Sequence, residues 1–204
     1  MIRSAFAALT LLASIPAAAT VAPGSAPDTA TGLYGHYADN AFAKILDGRL
    51  KAVKVYEDRE VLAFMNIHPL APGDLLVIPT GHYRNLMDIP PDVLAHLMKV
   101  AQRIAKAQAT TLHPAGIFIR ANSGEAAGQT VFHFHLHVTP VYRGVALARP
   151  SYADPPASPA ELEKTAAKIR AALSDQDCNR ASAKPTKSAR KCAIMQAGRS
   201  RRHR

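Results

Sequence analysis

The chain has 204 residues, 48% of them hydrophobic, with two cysteines and a formal net charge of +10. That length holds one domain with a sizeable core plus tails, and falls short of the roughly 250 residues of a (β/α)8 barrel. From Ser174 onward nine Lys/Arg stand against two Asp, a net +7, so the excess charge belongs to the tail and argues against nucleic-acid binding by the domain itself.

Residues 1–19 have the form of a secretory signal peptide: Arg3, an uncharged apolar run over 5–15, Pro16, then Ala17-Ala18-Ala19. The run is shorter than the ~20 residues that cross a bilayer, so no transmembrane segment is expected in the mature chain. The expected location is periplasmic or secreted. The absence of cysteine from the mature domain up to Cys178 suits an oxidising compartment. Residues 20–37, with Pro, Ala, Gly and Ser, read as a flexible lead-in.

A domain is expected over residues 38–145. Residues 38–46 read as a helix with Phe42, Ile45 and Leu46 on one face and Gly48 beyond its end. Strands are expected over 52–56 and 61–66, around the polar turn Glu57-Asp58-Arg59-Glu60. After a loop with Pro69 and Pro72, residues 74–79 form a strand buried on both faces. One long helix lies within 87–108, started at Pro90-Pro91. Its apolar face is Val93, Leu94, Leu97, Met98, Ala101, Ile104 and Ala105, and its wet face includes His96, Lys99 and Arg103. A strand over 117–121 leads to the loop 122–130.

The segment His133-Phe134-His135-Leu136-His137-Val138-Thr139-Pro140 follows. Strand alternation puts the three imidazoles on one face and Phe134, Leu136 and Val138 in the core. Spacing alone leaves catalysis, a metal site and an inert His-rich strand open. No acid follows His137 until Asp154. A Pro-rich linker over 146–157, a helix over 158–174 with Ser158-Pro159-Ala160-Glu161 as its capping box, and a basic disordered tail over 175–204 complete the chain. Pairing of Cys178 with Cys192 is left open.

Asn122-Ser123-Gly124-Glu125-Ala126-Ala127-Gly128-Gln129-Thr130, running into the three histidines, resembles the signature of the histidine triad (HIT) superfamily of nucleotide hydrolases and transferases. Thr139, where that pattern has an apolar residue, is a departure. The ending His137-Val138-Thr139-Pro140-Val141-Tyr142-Arg143-Gly144 resembles the bacterial diadenosine polyphosphate hydrolase-like branch. The resemblance implies an α+β fold: a mostly antiparallel sheet of about five strands with the long helix packed on it. It also implies a homodimer formed through that helix and an edge strand.

In chemistry, the resemblance implies His135 as nucleophile at the α-phosphate of a nucleotide adduct, with His133 and His137 orienting it. A nucleotidyl-histidine would form and water would release a nucleoside monophosphate, with no metal or cofactor. Asn66 is implied at the ribose hydroxyls, and His82, Asn122, Gln129 and Thr130 near the phosphates; Phe64 and Ile67 are candidates for a base slot. Many members carry a Cys-x-x-Cys zinc half-site where this chain has Asn40 and Ala43, so that site is expected to be absent. A non-catalytic nucleotide-binding module and a metal-dependent hydrolase remain as alternative readings.

Overall fold

The computed structural model describes Leu33, residues 39–148 and residues 155–182, with side chains as far as Cys178. The expected signal peptide, almost all of the lead-in, part of the linker, the far tail and Cys192 lie outside the described residues. Among the described residues no helix is long and apolar enough to cross a membrane.

Five strands form one antiparallel sheet: β1 (Lys54–Glu57), β2 (Val61–Met65), β3 (Leu75–Pro79), β4 (Gly116–Arg120) and β5 (Leu136–Val141). Their spatial order is β1-β2-β3-β5-β4. β2 and β3 are central and every residue of both is buried, as their near-unbroken apolar sequences require. Helix α1 (Ala41–Leu46) precedes the sheet, α2 (Pro91–Leu112) joins β3 to β4, and α3 (Pro159–Ser182) follows β5.

Alternation along the strands divides the core. Ala63, Met65, Leu75, Val77, Leu136 and Val138 face α2 and α3 and pack on Leu97, Val100, Ala101, Ile104, Leu162, Ala166, Ile169 and Leu173. Leu62, Phe64, Leu76 and Ile78 face the other way and pack under Phe42 and Ile45 of α1. The helices thus cover one face, and the short α1 covers only part of the opposite one.

Several expectations need correction. α3 runs eight residues beyond Ser174, because no Pro or Gly interrupts the chain before Pro185; the start of the expected tail is therefore helical. Cys178 on this helix is buried and disulfide-bonded. Met98, expected in the core, is 44% exposed, and His96, expected on the wet face, lies 2.8 Å from Asp58 Oδ2. His133 and His135 precede β5: only Leu136, His137 and Val138 pair with β3, while the Phe134 amide is drawn off to the Tyr83 carbonyl at 2.6 Å. Gln108, with no exposed surface, donates from Nε2 to the carbonyls of Gly73 and Val138, both at 2.9 Å.

Candidate active site

The three imidazoles stay together although only His137 is in the sheet. The His135 and His137 rings are 5.4 Å apart. Phe42 of α1 meets His135 edge-on at 5.2 Å and His133 at 6.0 Å, and rests on Phe64 at 5.6 Å. α1 is held in place for this by Asn40, whose Oδ1 accepts from the Phe42 and Ala43 amides at 2.9 and 3.0 Å. The position that would bear a zinc thiolate is therefore a helix cap.

His135 is 9% exposed. Its Nδ1 lies 2.8 Å from the His133 carbonyl, which can only accept, so Nδ1 carries the hydrogen and the neutral ring has its lone pair at Nε2. Burial pushes its pKa down to about 4; the carbonyl bond opposes this, and charge on His137 and Arg120 adds to it. His133, with no exposed surface, faces the Pro79 carbonyl through Nε2 at 2.9 Å, which makes that nitrogen a donor. Burial likewise lowers its pKa to about 4, opposed by that bond and aided by charge on His135 and His82.

His137 differs from the other two. Its Nδ1 is 3.4 Å from Oδ2 of Asp74, a carboxylate with no exposed surface that the sequence reading passed over. The same Oδ2 accepts from Asn66 Nδ2 at 2.8 Å and the Leu70 amide at 3.1 Å, while Oδ1 accepts from the Thr139 hydroxyl at 2.6 Å. The departure at Thr139 thus has a reason: its hydroxyl satisfies a buried acid.

The remaining expected residues divide. Asn66 is brought to the triad through Asp74, with its own Oδ1 accepting the His68 amide at 3.0 Å. His68, expected at the surface, is half-buried there. His82 is exposed and close enough to His133 for its charge to act there. Gln129 is committed to the loop: Nε2 donates to the Arg84 and Val131 carbonyls at 2.6 and 3.0 Å, and Oε1 accepts the Gly124 amide at 2.8 Å. These bonds make it a brace of the loop that leads into the histidines. Asn122 is half-buried in that loop, and Thr130 is exposed beside it. Gly128, at φ +82°, is needed there, because a Cβ would come 3.3 Å from Asn122 Nδ2. Of the candidates for a base slot, Phe64 is buried under Phe42, and Ile67 is 50% exposed.

The two neutral histidines fix the sign of a pH effect. Unfolded, each imidazole takes a proton near 6.5; folded, each resists until about 4. Protonation therefore favours the unfolded chain, and stability present above pH 6.5 is lost as pH falls toward 4, by roughly 3 kcal/mol per histidine. Denaturant unfolding at pH 7 and pH 5 should show about 2 kcal/mol of this loss per histidine, and His135→Ala should flatten it; equal stability at both pH values would contradict the buried neutral pair.

Comparison with known proteins agrees with this geometry. The HIT domain model matches residues 47–144. An uncharacterised HIT-like protein of Mycobacterium tuberculosis is 39% identical over 144 residues, covering 67% of this chain and 94% of its own. Among solved structures, a Hit-like protein of Bartonella henselae is 40% identical with a TM-score of 0.62, covering 66% of this chain and 96% of that one. A histidine triad nucleotide-binding protein of Sulfolobus tokodaii is 28% identical with a TM-score of 0.60, covering 67% and 93%. With its five-stranded antiparallel sheet and three clustered imidazoles, the chain belongs to the histidine triad family of nucleotide-binding hydrolases and transferases.

Proposed function

We propose that the protein hydrolyses a nucleotide adduct at its α-phosphate through a nucleotidyl-histidine on His135. The observation that carries this is the Nδ1–H bond to the His133 carbonyl, which leaves a lone pair at Nε2 of an imidazole kept neutral by burial. A neutral, oriented imidazole is a competent nucleophile across the physiological range. Nε2 bonds to phosphorus as the bond to the leaving group breaks, and the electron pair departs with the leaving atom. Water then adds to phosphorus, the N–P electron pair returns to Nε2, and the nucleoside monophosphate leaves with release of a proton. His133 and His137 hold the nucleophile and the phosphate oxygens; Asn122, Thr130 and His82 meet the charge that develops. Asn66 serves the ribose. Dinucleoside polyphosphates fit this chemistry directly; phosphoramidates fit it when the leaving nitrogen takes a proton from solvent as the P–N bond breaks and departs as a neutral amine.

Nucleoside monophosphate release should be measured on the purified protein in chelator, offering adenosine phosphoramidate and a diadenosine polyphosphate. His135→Ala should lower kcat by about a thousandfold or more. The acid limb of kcat/KM should fall near pH 4, where the ring protonates. Adenosine monophosphate binding with no release from either substrate would replace this reading with a binding module. Activity restored only by added metal would replace it with a metal-dependent hydrolase.

A homodimer through α2 and β4 is part of the proposal. β4 is an edge strand with Phe118 and Ile119 exposed, and beside it a groove of about 460 Å³ is lined by Met98, Ala101, Ala105, Ile117 and Ile119, with Lys99 and Gln102 among them. An apolar edge of this kind invites a second strand. Light scattering should give twice the chain mass, and Met98→Asp with Ile119→Asp should halve it; a monomer in the unaltered protein would end this part.

Export is also proposed, supported by the leader over 1–19 and the disulfide at Cys178, a bond that persists in oxidising compartments. Intact mass of the protein recovered from the cell envelope or medium should be that of a chain lacking residues 1–19. A full-length chain found only in the cytosol would contradict it.

A further inference from the structure

We infer that Arg120 is an anion-binding residue of the active site and selects substrates whose leaving group is itself a phosphate. The inference rests on the hydrolase reading above and adds to it a residue that the sequence did not single out.

Arg120 ends β4 and pairs directly with His137 across the β4–β5 ladder. Directly opposed residues of antiparallel strands send their side chains to one face. The same row continues through Leu76 of β3 to Phe64 of β2, both on the face away from α2 and α3. The guanidinium therefore lies on the histidine face, beside the end of the row where the imidazoles sit. Its charge is felt at His135, whose ring it makes harder to protonate.

The side chain lacks what other arginines of this chain have. Arg49, Arg84, Arg103 and Arg170 each engage a carboxylate. Arg120 is half-buried, and its Nε is buried with no hydrogen-bond partner among the described residues. Asp74, the buried acid of this face, has its oxygens committed to Asn66, Leu70, His137 and Thr139. A buried N–H without an acceptor is costly, and the planar fork of a guanidinium matches two phosphate oxygens. The acceptor that fits is an anion in the site.

The α-phosphate is common to every substrate considered, so attraction to it discriminates nothing. A second phosphate attached to it distinguishes a polyphosphate from a phosphoramidate, whose leaving group is a neutral amine. With a polyphosphate, the His135 Nε2–P bond forms as the bridging P–O bond breaks. The electron pair stays on the departing phosphate oxygen, where the guanidinium offsets the new charge.

The test uses the full chain with diadenosine triphosphate, whose leaving group is ADP, and adenosine phosphoramidate. The ratio of kcat/KM for the first over the second should fall at least about tenfold in Arg120→Gln and recover in large part in Arg120→Lys. Calorimetry should show the preference for ADP over AMP falling in parallel. If Arg120→Gln does not fold, Arg120→Met keeps the stem and reads the same ratio. An unchanged ratio, or equal losses for both substrates, overturns the inference while leaving the hydrolase reading intact. If the unaltered protein turns over neither substrate, the hydrolase reading fails, and the ADP-to-AMP binding ratio alone decides whether Arg120 binds the second phosphate.

Discussion

Asp74 is the point at which three parts of the fold meet. It has no exposed surface, and its carboxylate joins the end of β2 through Asn66, the following loop through the Leu70 amide, and β5 through Thr139 and His137. An isolated carboxylate there would cost several kcal/mol, so the acid is tolerable only with its donors in place. The backbone that delivers it is equally constrained. Gly73 has φ +91°, and a Cβ there would come 2.5 Å from Leu112 Cδ1. The Gly73 carbonyl is taken by Gln108, which also takes that of Val138, so α2 grips β3 and β5 together. The position of His137 is thus set from both faces of the sheet.

His135, the proposed nucleophile, is set by the opposite device. His135 and His133 each face a backbone carbonyl through one ring nitrogen and are closed in by Phe42. Burial removes the charged form and the carbonyls fix the tautomers, so the site begins with nucleophilic nitrogen without needing a base to make it. The same burial makes the fold acid-sensitive. The proposed chemistry and the pH dependence of stability thus share one cause, the burial of these two rings.

How much of this was legible in the sequence follows from the range of each interaction. Helical periodicity marked most of the inner face of α2, and an unbroken apolar run marked β3 as buried on both faces, because those patterns depend on near neighbours alone. The three histidines and their loop could be placed by their motif. Asp74 could not be: a single acid before an apolar strand looks like a turn residue until β5 is laid beside β3. Thr139, Gln108 and Arg120 were missed for the same reason, since each acquires meaning only from a partner between 17 and 65 positions away. The bonds of Gln129 to Arg84 and Gly124 were not legible, because they depend on how two loops close. Met98 satisfied the helical repeat, yet the edge strand beside it leaves it uncovered.

The division of the sheet into two faces gives the site its character. On the helix side, Ala63, Val77 and Leu136 line up across three strands and need only be apolar. On the other side the matching row runs Phe64, Leu76, His137, Arg120, from aromatic through aliphatic to imidazole and guanidinium. α1 covers the apolar end and stops, because a six-residue helix is too short to reach further. His137 and Arg120 stand at the uncovered end, backed by a sheet packed on its far side against α2 and α3. The buried acid at Asp74 ties the ends of β2 and β3 to β5, so the polar end of this row stands on a braced part of the sheet.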